Sequence, residues 1–167
     1  GRFIERHAGE VNEMLLPILE KSAQPGPIFF KDGTPMGTHS GLYNFTVGQR
    51  RGLGIAHSRP LYVLRLNVQH NTLTVGYRED LYSQGLTADR INWVSGPVPE
   101  KPVKARVRIR SRHQEAPATI TLNQSNGSGW QARVLFEAPQ MSVTPGQAAV
   151  FYQGEHVLGG GWITGRI

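Results

Sequence analysis

The sequence predicts a mainly β protein with a short N-terminal helix, a small β-rich central domain over residues 1–82 and a C-terminal β-barrel over residues 83–167. Three observations lead to this fold class. An early stretch of the chain has the spacing of an amphipathic helix. Two hairpin patterns follow it, and short apolar strands separated by turn residues fill the rest of the chain.

The predicted helix runs from Arg2 to about Ser22, where apolar side chains recur at spacings of three and four with glutamates between them. Pro17 should kink this helix, because proline removes a backbone donor and clashes with the preceding turn. The segment Gln24-Pro25-Gly26-Pro27 ends it.

Two hairpins are predicted after the helix. Asp32-Gly33 follows the strand candidate Pro27–Phe30, and Gln69-His70-Asn71 separates the candidates Leu61–Leu66 and Thr72–Gly76. Aspartate, asparagine and glycine favour such turns because they tolerate positive φ.

Turn signals recur in the C-terminal half, at Ser95-Gly96-Pro97, Asn126–Gly129, Thr144-Pro145-Gly146 and Gln153-Gly154-Glu155. Their spacing predicts a compact β-barrel. The triplet Gly159-Gly160-Gly161 superficially resembles a phosphate-binding loop, but no lysine or helix follows it. We therefore expect a bulge or close strand packing beside Trp162.

The composition favours a polyanionic partner. Eighteen Lys and Arg residues against twelve Asp and Glu residues give a formal charge of +6 and a pI near 10.1. An anionic membrane surface would attract the same charge. The sequence has neither a long apolar run nor a signal-peptide pattern, however, so we expect a cytoplasmic protein with no membrane partner.

Cysteine is absent, which excludes disulfides, thiolate zinc sites and cysteine nucleophiles within these residues. The six histidines are scattered and lack the spacing of metal ligands. No metal site is expected.

The segment Phe45–Ile55 places Arg50 and Arg51 between glycines. Glycines permit positive φ and remove the Cβ atoms that keep a partner away, and guanidinium groups suit bidentate contact with phosphate oxygens. The loop therefore predicts a nucleic-acid contact. The alternative is an exposed basic turn that meets only solvent.

A second basic feature runs from Lys101 to Arg112, a stretch without any acidic residue. Strand alternation would bury Val103, Ala105, Val107 and Ile109, and would project Lys104, Arg106, Arg108, Arg110 and Arg112 from the opposite face. Five like charges on one face repel one another, and a polyanion would relieve that repulsion. The alternative is an edge strand whose charges prevent pairing with other chains.

Two segments carry a highly specific family pattern. Thr46–Leu53 reads T-V-G-Q-R-R-G-L, and Thr144–Tyr152 reads T-P-G-Q-A-A-V-F-Y. Weaker matches in the expected order are Pro25–Ile28, Gly37–Leu42, Leu61–Val63, Gly85–Ala88, Asn92–Val94, Arg110–His113 and Leu158–Gly161. Together they resemble the tRNA-specific 2-thiouridylases, the MnmA or TrmU family, along nearly the whole chain.

This resemblance implies that the chain corresponds to the last two of three domains: a central domain with the G-Q-R element and a C-terminal barrel like those of translation factors. It implies a full-length enzyme in which ATP, with Mg²⁺, activates the C2 oxygen of the wobble uridine as an adenylate. A cysteine persulfide then delivers sulfur, leaving 2-thiouridine. The implied partners are a tRNA with a wobble uridine, an N-terminal ATPase domain and a sulfur-donor protein.

Two departures from the family pattern predict that this chain alone binds no cofactor and is inactive. It has no S-G-G-x-D-S loop to hold ATP phosphates. The family's sulfur-carrying cysteine lies in a C-F-[IV] context, and Arg2 precedes Phe3-Ile4 here. Persulfide chemistry requires a thiolate. Either the cysteine was altered at the start of this chain, or the chain belongs to a branch that lacks it.

The resemblance assigns tRNA binding to Gly48, Gln49, Arg50, Arg51 and Gly52. We expect the two arginines to contact phosphates of the anticodon stem and Gln49 to offer its amide to a base or ribose. Alternatively, Gln49 and the glycines only shape the turn. The next candidates for phosphate contact are Arg110 and Arg112, followed by Lys104, Arg106 and Arg108.

Three functions remain open from the sequence. The first is the RNA-binding portion of a tRNA-thiolating enzyme, and the second is a stand-alone RNA-binding module without catalytic activity. The third is a small hydrolase that uses a histidine with Glu79, Asp80 or Glu115, although no nucleophile motif supports it.

Overall fold

The computed structural model describes residues 20–111, 114–125 and 129–167. The chain forms two compact units that divide between Asp80 and Leu81. The mainly β fold class is confirmed, since ten strands and two short 3₁₀ helices occur in these ranges. Residues 20–23 are helical, and the rest of the predicted N-terminal helix lies outside the described residues.

The first unit is built on a four-stranded sheet. Its strands are β1 (Gly26–Phe30), β2 (Pro35–His39), β3 (Tyr62–Asn67) and β4 (Thr72–Gly76), and a 3₁₀ helix at Leu42–Asn44 follows β2. The predicted hairpins are confirmed as the antiparallel pairs β1–β2 and β3–β4. The two hairpins join through a parallel pairing of β1 with β4, which gives the order β2-β1-β4-β3.

The start of β1 packs closely against the turn that joins β3 to β4. The side-chain amide of Asn71 donates to the carbonyl oxygens of Gln24 and Pro25, at 3.2 and 3.1 Å. The Nε2 atom of buried His39 lies 3.1 Å from the carbonyl oxygen of Asn71. Gly26 fits beneath this turn because it has no side chain: a Cβ atom there would lie 2.2 Å from the same carbonyl oxygen.

The second unit is a closed six-stranded barrel, as the sequence predicted, with the strand order β10-β5-β8-β7-β6-β9. A 3₁₀ helix at Arg78–Leu81 precedes it. Its strands are β5 (Tyr82–Trp93), β6 (Val103–Arg108), β7 (Ala116–Gln124), β8 (Trp130–Met141), β9 (Ala148–Gln153) and β10 (His156–Arg166). Alternate residues of each strand fill the interior, where Leu86, Val107, Val134 and Phe151 are completely buried.

The glycine triplet lies within β10, and the expectation of bulges and close packing is confirmed. The pairing register shifts at the triplet against both neighbours: against β9 between Val157 and Gly159, and against β5 between Gly160 and Trp162. A Cβ atom on Gly159 would lie 2.5 Å from the carbonyl oxygen of Asn92. The glycines therefore let β10 approach its neighbouring strands, and a phosphate-binding loop is excluded at this position.

Candidate nucleic-acid interface

The predicted arginine loop connects β2 to β3 and is anchored by three apolar side chains. Phe45, Leu53 and Leu61 are buried and belong to the core of the first unit. The backbone between these anchors has no regular secondary structure. The anchors hold the loop at three points along its length and leave the residues between them near the surface.

Backbone hydrogen bonds join the first part of the loop to β3. Gly48 donates to the carbonyl oxygen of Val63 at 2.8 Å, and Val63 donates to the carbonyl oxygen of Gln49 at 2.9 Å. Gly48 and Gly52 have φ values of 91° and 76°, a region that residues with a Cβ atom rarely adopt. The glycines on both sides of the arginines therefore shape the turn, as the sequence predicted.

The Gln49 side chain makes its hydrogen bonds within the loop. Its Oε1 atom accepts from the backbone N–H of Thr46 at 3.0 Å, and its Nε2 atom donates to the carbonyl oxygen of Arg51 at 2.8 Å. Both ends of the amide thus brace the turn that carries the arginines. This geometry favours the alternative in which Gln49 shapes the loop over direct contact with a base or ribose.

Arg50 and Arg51 both project from this braced turn into solvent. Within the described part of the chain, neither guanidinium group has a hydrogen-bond or ion-pair partner. Residues 40–61 contain three arginines and no acidic residue, so no carboxylate on the loop offsets their charge. Two neighbouring exposed cations without a counter-charge favour an anionic partner.

The second half of the loop curves around an open concavity of about 600 Å³. Arg50 and Gly52 lie at the start of the lining segment, and His57 and Arg59 lie towards its end. The loop thus places two arginines, Arg50 at the start of this lining segment and Arg59 near its end, around one concave surface.

The basic stretch in the barrel alternates as predicted in its central part, but Val103, Arg108 and Arg110 are half-buried. Ala105, Val107 and Ile109 are buried, whereas Lys104 and Arg106 are exposed. Strand β6 pairs with β7 on one side and with β9 on the other, so the edge-strand explanation for its charges is excluded.

The stretch is less uniformly positive than its sequence indicates. Glu115, just before β7, lies 2.6 Å from Arg108 and 3.7 Å from Arg106 in two ion pairs. One carboxylate therefore offsets part of the charge of two arginines. Lys104 remains exposed and without a partner among the described residues.

Arg108 and Arg110 line a groove of about 810 Å³ on the barrel, together with Gln147 and Tyr152. The guanidinium carbon of Arg108 lies 5.1 Å from the centre of the Tyr152 ring, and Arg110 donates to the carbonyl oxygen of Met141 at 3.2 Å. The Nε atoms of both arginines are buried and have no acceptor in the described ranges. Such N–H groups are the donors that an oxyanion satisfies.

Two of the predicted site residues lie outside the described residues. These are Arg112, a candidate phosphate contact, and Arg2, which stands where the family's cysteine is expected.

The carboxylates considered for a hydrolase are engaged with cations. Asp80 lies 2.6 Å from Lys31, and Glu79 lies 2.7 Å from Arg59. Glu115 pairs with two arginines, as described above. The described residues contain no cluster of three or more potential metal ligands and no helix long and apolar enough to cross a membrane.

Two protein-family models match consecutive parts of the chain. Residues 12–77 match the "tRNA methyl transferase PRC-barrel domain", and residues 83–163 match the "Aminomethyltransferase beta-barrel domain". Proteins described as tRNA-specific 2-thiouridylase MnmA align with the chain across both regions. The relative from Geotalea uraniireducens is 46% identical over 162 residues, which cover 97% of this chain and 39% of the relative. The chain belongs to the tRNA-specific 2-thiouridylase family.

Other 2-thiouridylases support the same assignment. The relative from Solibacter usitatus is 46% identical over 83% of this chain and 37% of its own length. The relative from a Synechococcus strain is 41% identical over 92% of this chain and 43% of its own length. The chain thus spans about two fifths of the length of the 2-thiouridylases that it matches.

Proposed function

We propose that this chain is the tRNA-binding portion of a tRNA 2-thiouridylase and that Arg50 and Arg51 supply its principal phosphate contacts. The observation that carries this proposal is the arginine loop. Both guanidinium groups are exposed, neither has a partner among the described residues, and the loop holds no acidic residue. A phosphate backbone would supply the missing counter-charge.

The bracing of the loop supports this role. Buried anchors and hydrogen bonds to β3 hold the turn in place before any ligand binds. Binding to a preformed turn loses less conformational entropy than binding to a flexible one. Gln49 acts in this proposal as a positioning residue, because its amide holds the turn that presents Arg50 and Arg51.

The barrel contributes a second set of cations. Lys104 and Arg110 are the stronger candidates, because Arg106 and Arg108 share the carboxylate of Glu115. Arg106, Arg108 and Glu115 together carry one net positive charge. Added to Lys104, Arg110 and the two loop arginines, this gives about five positive charges for contact with phosphates. Arg112 is retained as a further candidate from the sequence.

The full-length enzyme would activate the C2 oxygen of the wobble uridine with ATP and replace it with persulfide sulfur. The glycine triplet does not fit ATP phosphates in the manner of a phosphate-binding loop. The glycine triplet nearest to a phosphate-binding pattern lies within β10, where Cβ atoms would meet neighbouring strands. These 167 residues also contain no cysteine. We therefore assign ATP with Mg²⁺, the sulfur-carrying thiol and docking of the sulfur donor to other parts of the full-length enzyme.

A filter-binding titration of this chain tests the proposal. The ligands are an unmodified tRNA with a wobble uridine and a duplex DNA of equal length, each at several salt concentrations. We expect a preference for the tRNA and a slope of log affinity against log salt near −4, since about five phosphates are neutralised at roughly 0.7–0.9 each. Equal affinity for both ligands, or no salt dependence, would overturn the proposal. An in-frame stop just upstream in the gene would instead favour the stand-alone RNA-binding module.

A further inference from the structure

Three rings and one guanidinium group of the first unit form a cluster, here called the Tyr77 platform: Phe30, His57, Tyr77 and Arg59. The rings of Phe30 and Tyr77 meet edge to face, with centroids 5.1 Å apart. The rings of Phe30 and His57 are nearly parallel, with centroids 6.3 Å apart and an interplanar angle of 14°. His57 and Arg59 also line the concavity of the arginine loop.

Arg59 is held on this platform by two contacts. Its guanidinium carbon lies 3.9 Å from the centre of the Tyr77 ring, and its Nη2 atom donates to Oε1 of Glu79 at 2.7 Å. Arginine is charged at neutral pH, and hydrogen bonding to Glu79 raises the pKa of Arg59 further. Its side chain is nevertheless 56% exposed. One side of a planar cation is therefore covered by an aromatic ring, and the group remains accessible to a ligand.

His57 is fixed beside Arg59 through the backbone. Its Nδ1 atom lies 3.2 Å from both the backbone nitrogen and the carbonyl oxygen of Arg59, so this atom has a partner in either tautomer. The Nε2 atom has no partner within the described part of the chain. The exposed imidazole ring can therefore offer both a π surface and a polar nitrogen to a ligand.

We propose that His57 and Arg59 bind one unpaired nucleobase of the RNA, in the same concavity to which Arg50 contributes. This inference rests on the proposed tRNA-binding function and names a further site within it. Guanidinium planes and aromatic rings are the surfaces on which proteins stack unpaired bases. A single strand offers both an exposed base and a phosphate, whereas a duplex covers its base faces.

The charge of the platform argues against a cationic ligand. An aromatic cluster can bind quaternary ammonium groups. Here, however, Lys31 and Arg59 already lie 5.7 and 3.9 Å from the Tyr77 ring centre. These two side chains already take the cation positions around the Tyr77 ring, so a cationic ligand would have to displace one of them, whereas an uncharged base could stack on the exposed guanidinium plane and imidazole ring.

The test uses the 167-residue chain and an RNA hairpin whose loop contains seven unpaired nucleotides. A 2-aminopurine is placed at each loop position in turn, because its fluorescence is quenched when it stacks. We expect quenching at one loop position with the wild-type chain and no quenching at that position with R59K, because lysine keeps the positive charge but lacks the planar guanidinium group. Affinity of R59K should fall about 5-fold or more, within the range measured for single base stacks, while the salt slope stays unchanged.

Two controls keep the outcome specific. Arg90 pairs with Asp89 at 3.2 Å and lies 5.5 Å from the Trp162 ring centre, so R90K makes the same chemical change elsewhere and should bind like wild type. Replacing each loop nucleotide in turn with an abasic one tests the site without altering the protein. One of these replacements should weaken wild-type binding about as much as R59K does.

The results separate this site from the proposed function. If charge reversal at Arg50 and Arg51 weakens binding but R59K and every abasic RNA bind normally, the base site is refuted and the tRNA-binding proposal stands. If the chain shows no salt-dependent binding to any RNA, both proposals are refuted.

Discussion

The sharpest prediction concerns the double substitution R50A/R51A. Both side chains are exposed and unpaired among the described residues, so removing them breaks no hydrogen bond or ion pair that the structure describes. Each lost phosphate contact should reduce the salt slope by about 0.7–0.9. The slope should therefore change from near −4 to about −2.4.

The change in salt slope also determines how much RNA affinity is lost at each salt concentration. The ionic contribution of one contact scales with the logarithm of salt and vanishes near 1 M. Loss of two contacts should therefore lower RNA affinity about 40-fold at 0.1 M salt and only about 3-fold at 0.5 M salt. A loss that shrinks in this way as salt is added identifies a missing phosphate contact, whereas a loss through misfolding would persist at high salt.

Filter binding with the wobble-uridine tRNA measures this effect, and R65A/R133A is the matched control. Arg65 and Arg133 are also exposed and without partners in the described residues, so the control removes the same charge from other positions. Equal changes of slope in the two double variants would refute the assignment, because the affinity would then depend on net charge alone.

Three further predictions address the loop, the sheet and the platform. Q49A should speed hydrogen exchange of the loop amides, measured by mass spectrometry, because the side-chain hydrogen bonds of the loop are lost. It should also lower RNA affinity several-fold with little change of the salt slope, since the cations remain. Unchanged hydrogen exchange would count against the bracing role of Gln49. G26A should lower the free energy of unfolding of the first unit by about 1–3 kcal/mol, because its Cβ atom would lie 2.2 Å from the carbonyl oxygen of Asn71. Urea denaturation measures this change, and an unchanged urea midpoint would contradict the close packing at Gly26. The pKa of Glu79 lies below its ordinary 4.5, because its own backbone N–H and, to a smaller extent, Arg59 donate hydrogen bonds to the carboxylate. The contribution of Glu79 to folding stability is therefore present at neutral pH and is lost as pH falls through the lowered pKa. Carboxyl NMR should show R59A moving this titration towards 4.5 without reaching it, since the backbone donor remains; no movement would exclude the ion pair in solution.

Local signals in the sequence were sufficient to predict the hairpins and the barrel. Asp32-Gly33 and the turn before Thr72 act through the conformations of a few neighbouring residues, and strand alternation acts at a period of two. The parallel pairing of β1 with β4 was not predicted. It joins Ile28 to Leu73, and no short-range pattern specifies a partner so far along the chain.

In the candidate site too, the features set by neighbouring residues were predicted and those set by long-range contacts were missed. The arginine loop was located from its glycines, because φ values above zero at Gly48 and Gly52 are a local property. The partial neutralisation by Glu115 was missed, since it depends on how β6 and β7 pair. The contact between Arg59 and Glu79 was missed for a similar reason: the two residues are 20 positions apart and meet only in the folded unit.

The connection from β2 to β3 has a consequence for mutational screens. These strands are the two outer strands of the sheet, so the segment between them spans three strand spacings, about 14 Å, and it contributes Phe45, Leu53 and Leu61 to the core along the way. Its length and its apolar positions are therefore fixed by the architecture, and only the residues between the anchors are free to adapt to a ligand. A selection for variants that lose RNA binding should recover two classes from this one segment: well-expressed proteins altered at the arginines, and poorly expressed proteins altered at the anchors.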